Sequence, residues 1–206
     1  MKIMSRGLHG VLIFPMVSIL TLGSAFGHRP IFTQESGANP ETAVPFGDPD
    51  ISQVVYRELT PSQPQVWFTV SVPKDFDLFV QIGVPVINRL QSFRPSLALI
   101  GPGLAAVKLP FSIPEGMGGV VFSTKEVEQP RVFYEHFTGT ESWILRSESI
   151  RLSEPGRYYL VVFNPEGQEG KFWVAIGRRE AFSLKDLLEF PLWRKRIREF
   201  HEISTR

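Results

Sequence analysis

Nine short apolar runs, each closed by proline, glycine or a polar cluster, leave this chain few ways to fold. In QVWFTVSV (Gln65–Val72), Val66, Phe68, Val70 and Val72 share one parity, and Trp67, Thr69 and Ser71 share the other. That period of two belongs to a strand with one face buried. DLFVQIGV (Asp77–Val84) repeats it with Leu78, Val80 and Ile82. SQVVYREL (Ser52–Leu59) and SLALIG (Ser96–Gly101) read as strands, as do segments near 120–124, 131–137 and 142–152. GRYYLVVF (Gly156–Phe163) and GKFWVAIG (Gly170–Gly177) complete the set. SEPG (Ser153–Gly156) and NPEGQEG (Asn164–Gly170) are turn signals between neighbouring strands. Strands recurring about every 8–12 residues with turns between them predict an all-β chain. The expected architecture is an antiparallel, jelly-roll-like β-sandwich with a C-terminal helical appendage.

The chain divides into four parts. Residues 1–27 carry Lys2 and Arg6, then an apolar run from Val11 to Leu22, then the small residues Gly23, Ser24, Ala25 and Gly27. This is the pattern of a signal peptide, and the run is short for a membrane span of about 20 residues. Export to the periplasm or the extracellular space follows as an expectation. Residues 28–50 read as an extended lead-in without a core, and residues 51–180 as the sandwich. Within it, 101–141 is a long insertion whose first part, Gly101–Gly119, holds five glycines and three prolines. Long loops on rigid sheets commonly carry function, so this insertion is the expected interaction surface. Residues 181–206 form a helical tail: Ser183 and Asp186 have capping-box spacing, and Pro191 is expected to interrupt the helix.

Charge and cysteine content narrow the function. Removing Lys2 and Arg6 leaves 20 basic against 21 acidic side chains, which argues against a nucleic-acid partner. With no cysteine, disulfides, thiolate catalysis, Cys-ligated zinc and iron–sulfur clusters are excluded. No GxSxG elbow or HExxH motif is present, and no catalytic residue is assigned. Glu135 and Glu141 are a carboxylate pair of a kind that any chain of this length contains.

SIRLSEPGRYYLVVFNPEGQEGKFWVAIG, with Leu152, Gly156, Tyr158, Leu160 and Val162 and then Gly170, Phe172, Val174 and Ile176, resembles bacterial pre-peptidase C-terminal-type β-sandwich domains. The segments HRP, FRPSLALIGPGL and LPFSIPEGMGG are similar to those of secreted bacterial proteins of unassigned activity. The resemblance implies an accessory module that binds polysaccharide, protein or calcium beside an enzyme. The 101–141 insertion and the C-terminal helix depart from the simple module.

Four sets of residues are candidates for function. Cleavage after Gly27 would make His28 the N-terminus, whose amine and imidazole could brace Cu(II) together with His136; cleavage after Ala25 would leave Phe26 first. Asp75 and Asp77, like Asp48 and Asp50, pair carboxylates as Ca²⁺ requires, although Asp is also common in turns for backbone reasons. Copper and calcium are thus the two ions the donors admit, and neither is required. Tyr134, Glu135, Trp143 and Trp173 are candidate ligand contacts, with Trp173 and Tyr159 of the parity that could face outward. In the tail, Trp193, Ile197 and Phe200 share one helical face beside Arg194 and Arg196. That face could touch a membrane surface or a partner, or pack back on the sandwich. The expected partner is another exported protein or a polysaccharide, with peripheral membrane contact through the helix as the alternative.

Overall fold

In the computed structural model, which describes residues 28–204, the alternating runs become two facing sheets. The signal-peptide reading falls on residues 1–27, outside those described. Strands follow in the order β1 (Arg29–Pro30), β2 (Val44–Pro45), β3 (Gln53–Leu59), β4 (Gln65–Val72), β5 (Phe76–Pro85) and β6 (Ser96–Gly101). Then come β7 (Gly118–Phe122), β8 (Arg131–Glu135), β9 (Thr140–Leu152), β10 (Gly156–Phe163), β11 (Gly170–Ile176) and the helix α1 (Leu184–Phe200). One sheet has the order β1-β3-β11-β5-β9-β8 and the other β2-β4-β10-β6-β7.

The connectivity is that of a jelly roll. β3 pairs with β11, β4 with β10, β5 with β9 and β6 with β7, each antiparallel and each pair nested inside the one before. Successive pairs alternate between the sheets, so a single long hairpin wraps around one core. Phe68, Val70, Leu99, Leu160 and Val162 from one sheet meet Leu78, Val80, Ile82, Phe172 and Val174 from the other. The predicted parities of β4 and β5 place their apolar lines in this core.

Several expectations change. The lead-in is not coreless: β1 and β2 pair in parallel with β3 and β4, and Val44 and Phe46 are buried in the main core. Within the 101–141 insertion, the strands expected near 120–124 and 131–137 form as β7 and β8, and each extends a sheet edge. Its glycine-rich part folds back over the outer face of the second sheet. There Phe111 meets Trp67 at 5.4 Å and Phe163 at 5.3 Å between ring centroids. Leu109, Ile113 and Met117 pack beside them. Tyr159 has the outward parity predicted for it, yet it is buried, since this flap and Trp67 cover it. α1 is continuous through Pro191. The carbonyl that a helical N–H at 191 would serve belongs to Leu187, on the solvent side, where water can satisfy it.

Tyr158 fastens the start of the flap. Its ring lies against Gly101, where any Cβ would come within 2.1 Å of it. Its hydroxyl is 2.9 Å from the carbonyls of both Pro102 and Glu154. Tyr158→Phe is expected to cost about 1 kcal/mol, because it removes the donor and keeps the packing. Urea unfolding of the two proteins checks it, and an unchanged midpoint would count against the anchor.

Candidate functional site

The outer face of the first sheet is where predicted and unpredicted residues meet. Val54, Tyr56, Phe133, Ile144, Trp173 and Ala175 form a second apolar layer on that face, and α1 lies over it. A capping box opens the helix: the Ser183 hydroxyl accepts from the Asp186 N–H, and the Asp186 carboxylate accepts from the Ser183 N–H. Burial pushes the Asp186 carboxyl up, but the bonds from Ser183 and the nearby Arg29 guanidinium (3.2 Å) outweigh it and lower the pKa. The first turn is thereby tied to β1.

At the other end Trp193 and Ile197 are buried, and Phe200 packs edge-on against Tyr56 at 5.1 Å. The Arg198 guanidinium donates to the Thr138 carbonyl. Glu202 joins Arg89 and Lys171, whose donated bonds lower its pKa. The helical face predicted from Trp193, Ile197 and Phe200 is therefore turned into the sheet.

Beneath this end runs a buried polar chain. His201 Nδ1 lies 2.8 Å from the Ile197 carbonyl, which can only accept, so Nδ1 carries the proton. Nε2 is then the acceptor for the Ser142 hydroxyl at 3.2 Å, and Ser142 Oγ accepts from Trp173 Nε1–H at 3.0 Å. Burial pushes the His201 imidazole down to about 4, with Lys171 acting in the same direction. The Ser142 oxygen is buried and already bonded to the indole, and the His201 donor goes to a backbone carbonyl instead of a carboxylate. The pair thus fastens the helix to the sheet and presents no nucleophile to solvent. Beside it a cleft of about 280 Å³ is lined by Val86, Tyr134, Gly139, Glu141, His201 and Ile203.

The structure separates the predicted copper ligands. His28 Nδ1 is 2.5 Å from Ser52 Oγ, and its ring neighbours Trp173 on β11. Burial lowers its pKa to about 4. His136 lies in the β8–β9 turn against Tyr134. β11 and β8 are three strand spacings apart, about 14 Å between their backbones. Three of the four predicted carboxylates are in ion pairs. Asp77 pairs with Arg151 at 2.8 Å, while Asp75 occupies a turn at φ +56°. Asp48 and Asp50 both pair with Arg179.

The four candidate ligand contacts divide by face. Tyr134 and Trp143 lie on the core side of β8 and β9, with Tyr134 exposed and Trp143 packed at the core margin. Glu135 and Trp173 lie on the helix side. Burial raises the Glu135 carboxyl, and Trp173 is covered, contrary to the outward exposure expected of it.

Sequence spacing does not single out Ser142 with His201, which are 59 residues apart. It also passes over four leucines of α1. Leu184, Leu187, Leu188 and Leu192 are 82%, 64%, 83% and 48% exposed, on the side of the helix away from the sheet. Phe182 and Phe137 are also exposed, and Phe137 touches Phe190 of the helix. The i, i+3, i+4, i+8 spacing of the leucines is the signal that could have found them.

No family model matches the chain, and no curated protein matches it. Among solved structures it is similar to the pre-peptidase C-terminal domain of a collagenase from Bacillus anthracis, with 12% identity and a TM-score of 0.38 over 67% of this chain and 97% of that one. The sandwich itself stands on the strand pairing described above.

Proposed function

We propose that this chain is an exported, non-catalytic binding module whose contact face is the outward side of α1 with the adjoining β8–β9 turn. One observation carries the reading. Four leucines stand in solvent on a helix whose opposite side is fastened along its length by Arg29–Asp186, Arg198–Thr138 and His201–Ser142. Isolated exposed leucines are ordinary, but a contiguous apolar stripe on a rigid support is the mark of a contact surface. The state of the reactive groups supports the non-catalytic part: Ser142 and His201 are held in the relay, and His28 is bonded to Ser52.

Photocrosslinking in the host cell tests the reading. A benzophenone amino acid at position 188 is expected to yield an adduct, whereas the same residue at Lys74, exposed in the β4–β5 turn, yields none. Absence of any adduct at 188, or equal labelling at both positions, would overturn it.

A further inference from the structure

We infer that the outward side of α1 docks on an anionic lipid surface. The inference rests on the binding-module reading of the same helix and names its partner. The face has two zones. Its first half presents Leu184, Leu187, Leu188 and Leu192, flanked by Phe182 and by Phe137 from the β8–β9 turn. Its second half presents the exposed cations Arg194 and Lys195, with Lys185 among the leucines and Arg196 beyond them. At 100° per residue, Leu184, Leu188 and Lys195 fall on nearly one line along the helix.

The inward side is fixed at both ends, so the whole outward side meets a flat surface at once. Arg29 holds the first turn through Asp186, and Ser142 holds the last through His201. A helix lying in the plane of a bilayer has this arrangement: leucines and phenylalanines enter the boundary of the acyl chains, and cations meet phosphates. Among the described residues, Lys185 and Lys195 make long, exposed ion pairs to Glu189 and Glu199, at 3.7 and 3.9 Å. Such pairs exchange readily for headgroup contacts.

Size argues against a protein partner or a second copy. Six exposed apolar side chains make up the patch, against about 20–30 residues on each side of a standard protein interface. A bilayer sets no such minimum, because each inserted side chain leaves water independently of a matching partner surface. The membrane-facing residues are then the leucines, and the Trp193–Ile197–Phe200 face points away from the lipid.

Flotation of residues 28–206, which contain both sheets and the helix, tests the inference. The vesicles are phosphatidylcholine alone, or phosphatidylcholine and phosphatidylglycerol in equal parts. The protein is expected to float with the anionic vesicles and to remain in solution with the neutral ones. Leu187→Glu with Leu188→Glu is expected to lower the bound fraction about tenfold, as is Arg194→Glu with Lys195→Glu. These side chains lie outside the core, so near-ultraviolet circular dichroism should match the wild type and exclude misfolding. Failure of the wild type to float, or equal flotation of the leucine variant, overturns the inference. Self-association that the leucine variant abolishes, without flotation, overturns it in favour of a second copy. A crosslink from position 188 to a protein, with no flotation, ends the lipid inference and leaves the binding-module reading standing.

Discussion

Trp173→Ala is expected to destabilise the domain by about 4 kcal/mol, the range of a buried aromatic truncated to alanine. The indole is 5% exposed and is the centrepiece of the layer between the first sheet and α1. Its loss leaves a cavity there and removes the N–H donor of Ser142. The ring has its place because Gly83 has no side chain: a Cβ at 83 would come within 2.2 Å of indole Cζ2 and 2.9 Å of the Trp143 carbonyl. Gly83→Ala should therefore cost about 3 kcal/mol by itself, through displacement of the ring. Once the indole is gone, most of that clash is gone too. The double variant should then be more stable than the sum of the two effects by about 1–2 kcal/mol. Urea unfolding of the four proteins measures this coupling. Strict additivity would mean that Gly83 matters for some reason other than the indole.

Trp173 also shows where sequence reading reaches its limit. The period of two places it opposite the apolar line of Phe172, Val174 and Ile176, and the structure agrees. Parity, however, names a face of the sheet without saying what lies on it. In a two-layer sandwich the outer faces meet water unless another segment covers them. Here both are covered, one by α1 and the other by the flap around Phe111. Which segment returns to which face is set by contacts between distant residues, and no local pattern carries that information. The sandwich class was within reach because strand alternation and turn placement are local, whereas the pairing of β3 with β11 and of β4 with β10 is not.

The helix divides in the same way. Trp193, Ile197 and Phe200 are legible as a seam by spacing alone. Taking Pro191 as a break cuts the leucine stripe in two and hides its continuity across Leu188 and Leu192. Proline removes one hydrogen bond and crowds the carbonyl four residues back, and the tertiary contacts on both sides of it hold the helix continuous despite that cost. The paired histidine reading meets a related limit. His28 and His136 are the natural partners by residue type, but β3, β11, β5 and β9 stand between β1 and β8. His201 meets Ser142 because α1 lies against the first sheet and its C-terminal end reaches β9.

Lowering the pH from about 6.5 to about 4 should remove about 3 kcal/mol of stability through His201 alone. Burial depresses its folded pKa to about 4 from 6.5, so between these values the unfolded chain takes up a proton that the folded one refuses. Stability is then complete above about 6.5, falls as the pH drops, and levels off below about 4, where both states are protonated. The geometry explains the refusal. Nδ1 already donates to the Ile197 carbonyl, and a proton on Nε2 would face the Ser142 hydroxyl. Ser142 would have to turn its own hydrogen away into a buried site while still accepting from Trp173. Lys171 opposes the charge further. His28, depressed to about 4 by burial, titrates in the same window, so His201→Gln should roughly halve the pH dependence without abolishing it. Urea midpoints of both proteins between pH 7 and pH 4 read the difference; parallel curves would exclude His201 as the titrating group. Because the relay holds the end of α1 to β9, its protonation should loosen that end before the sheets respond. Protection factors in the last turn of α1, corrected for the intrinsic pH dependence of exchange, are expected to fall by pH 5 while those in β10, between β4 and β6, hold.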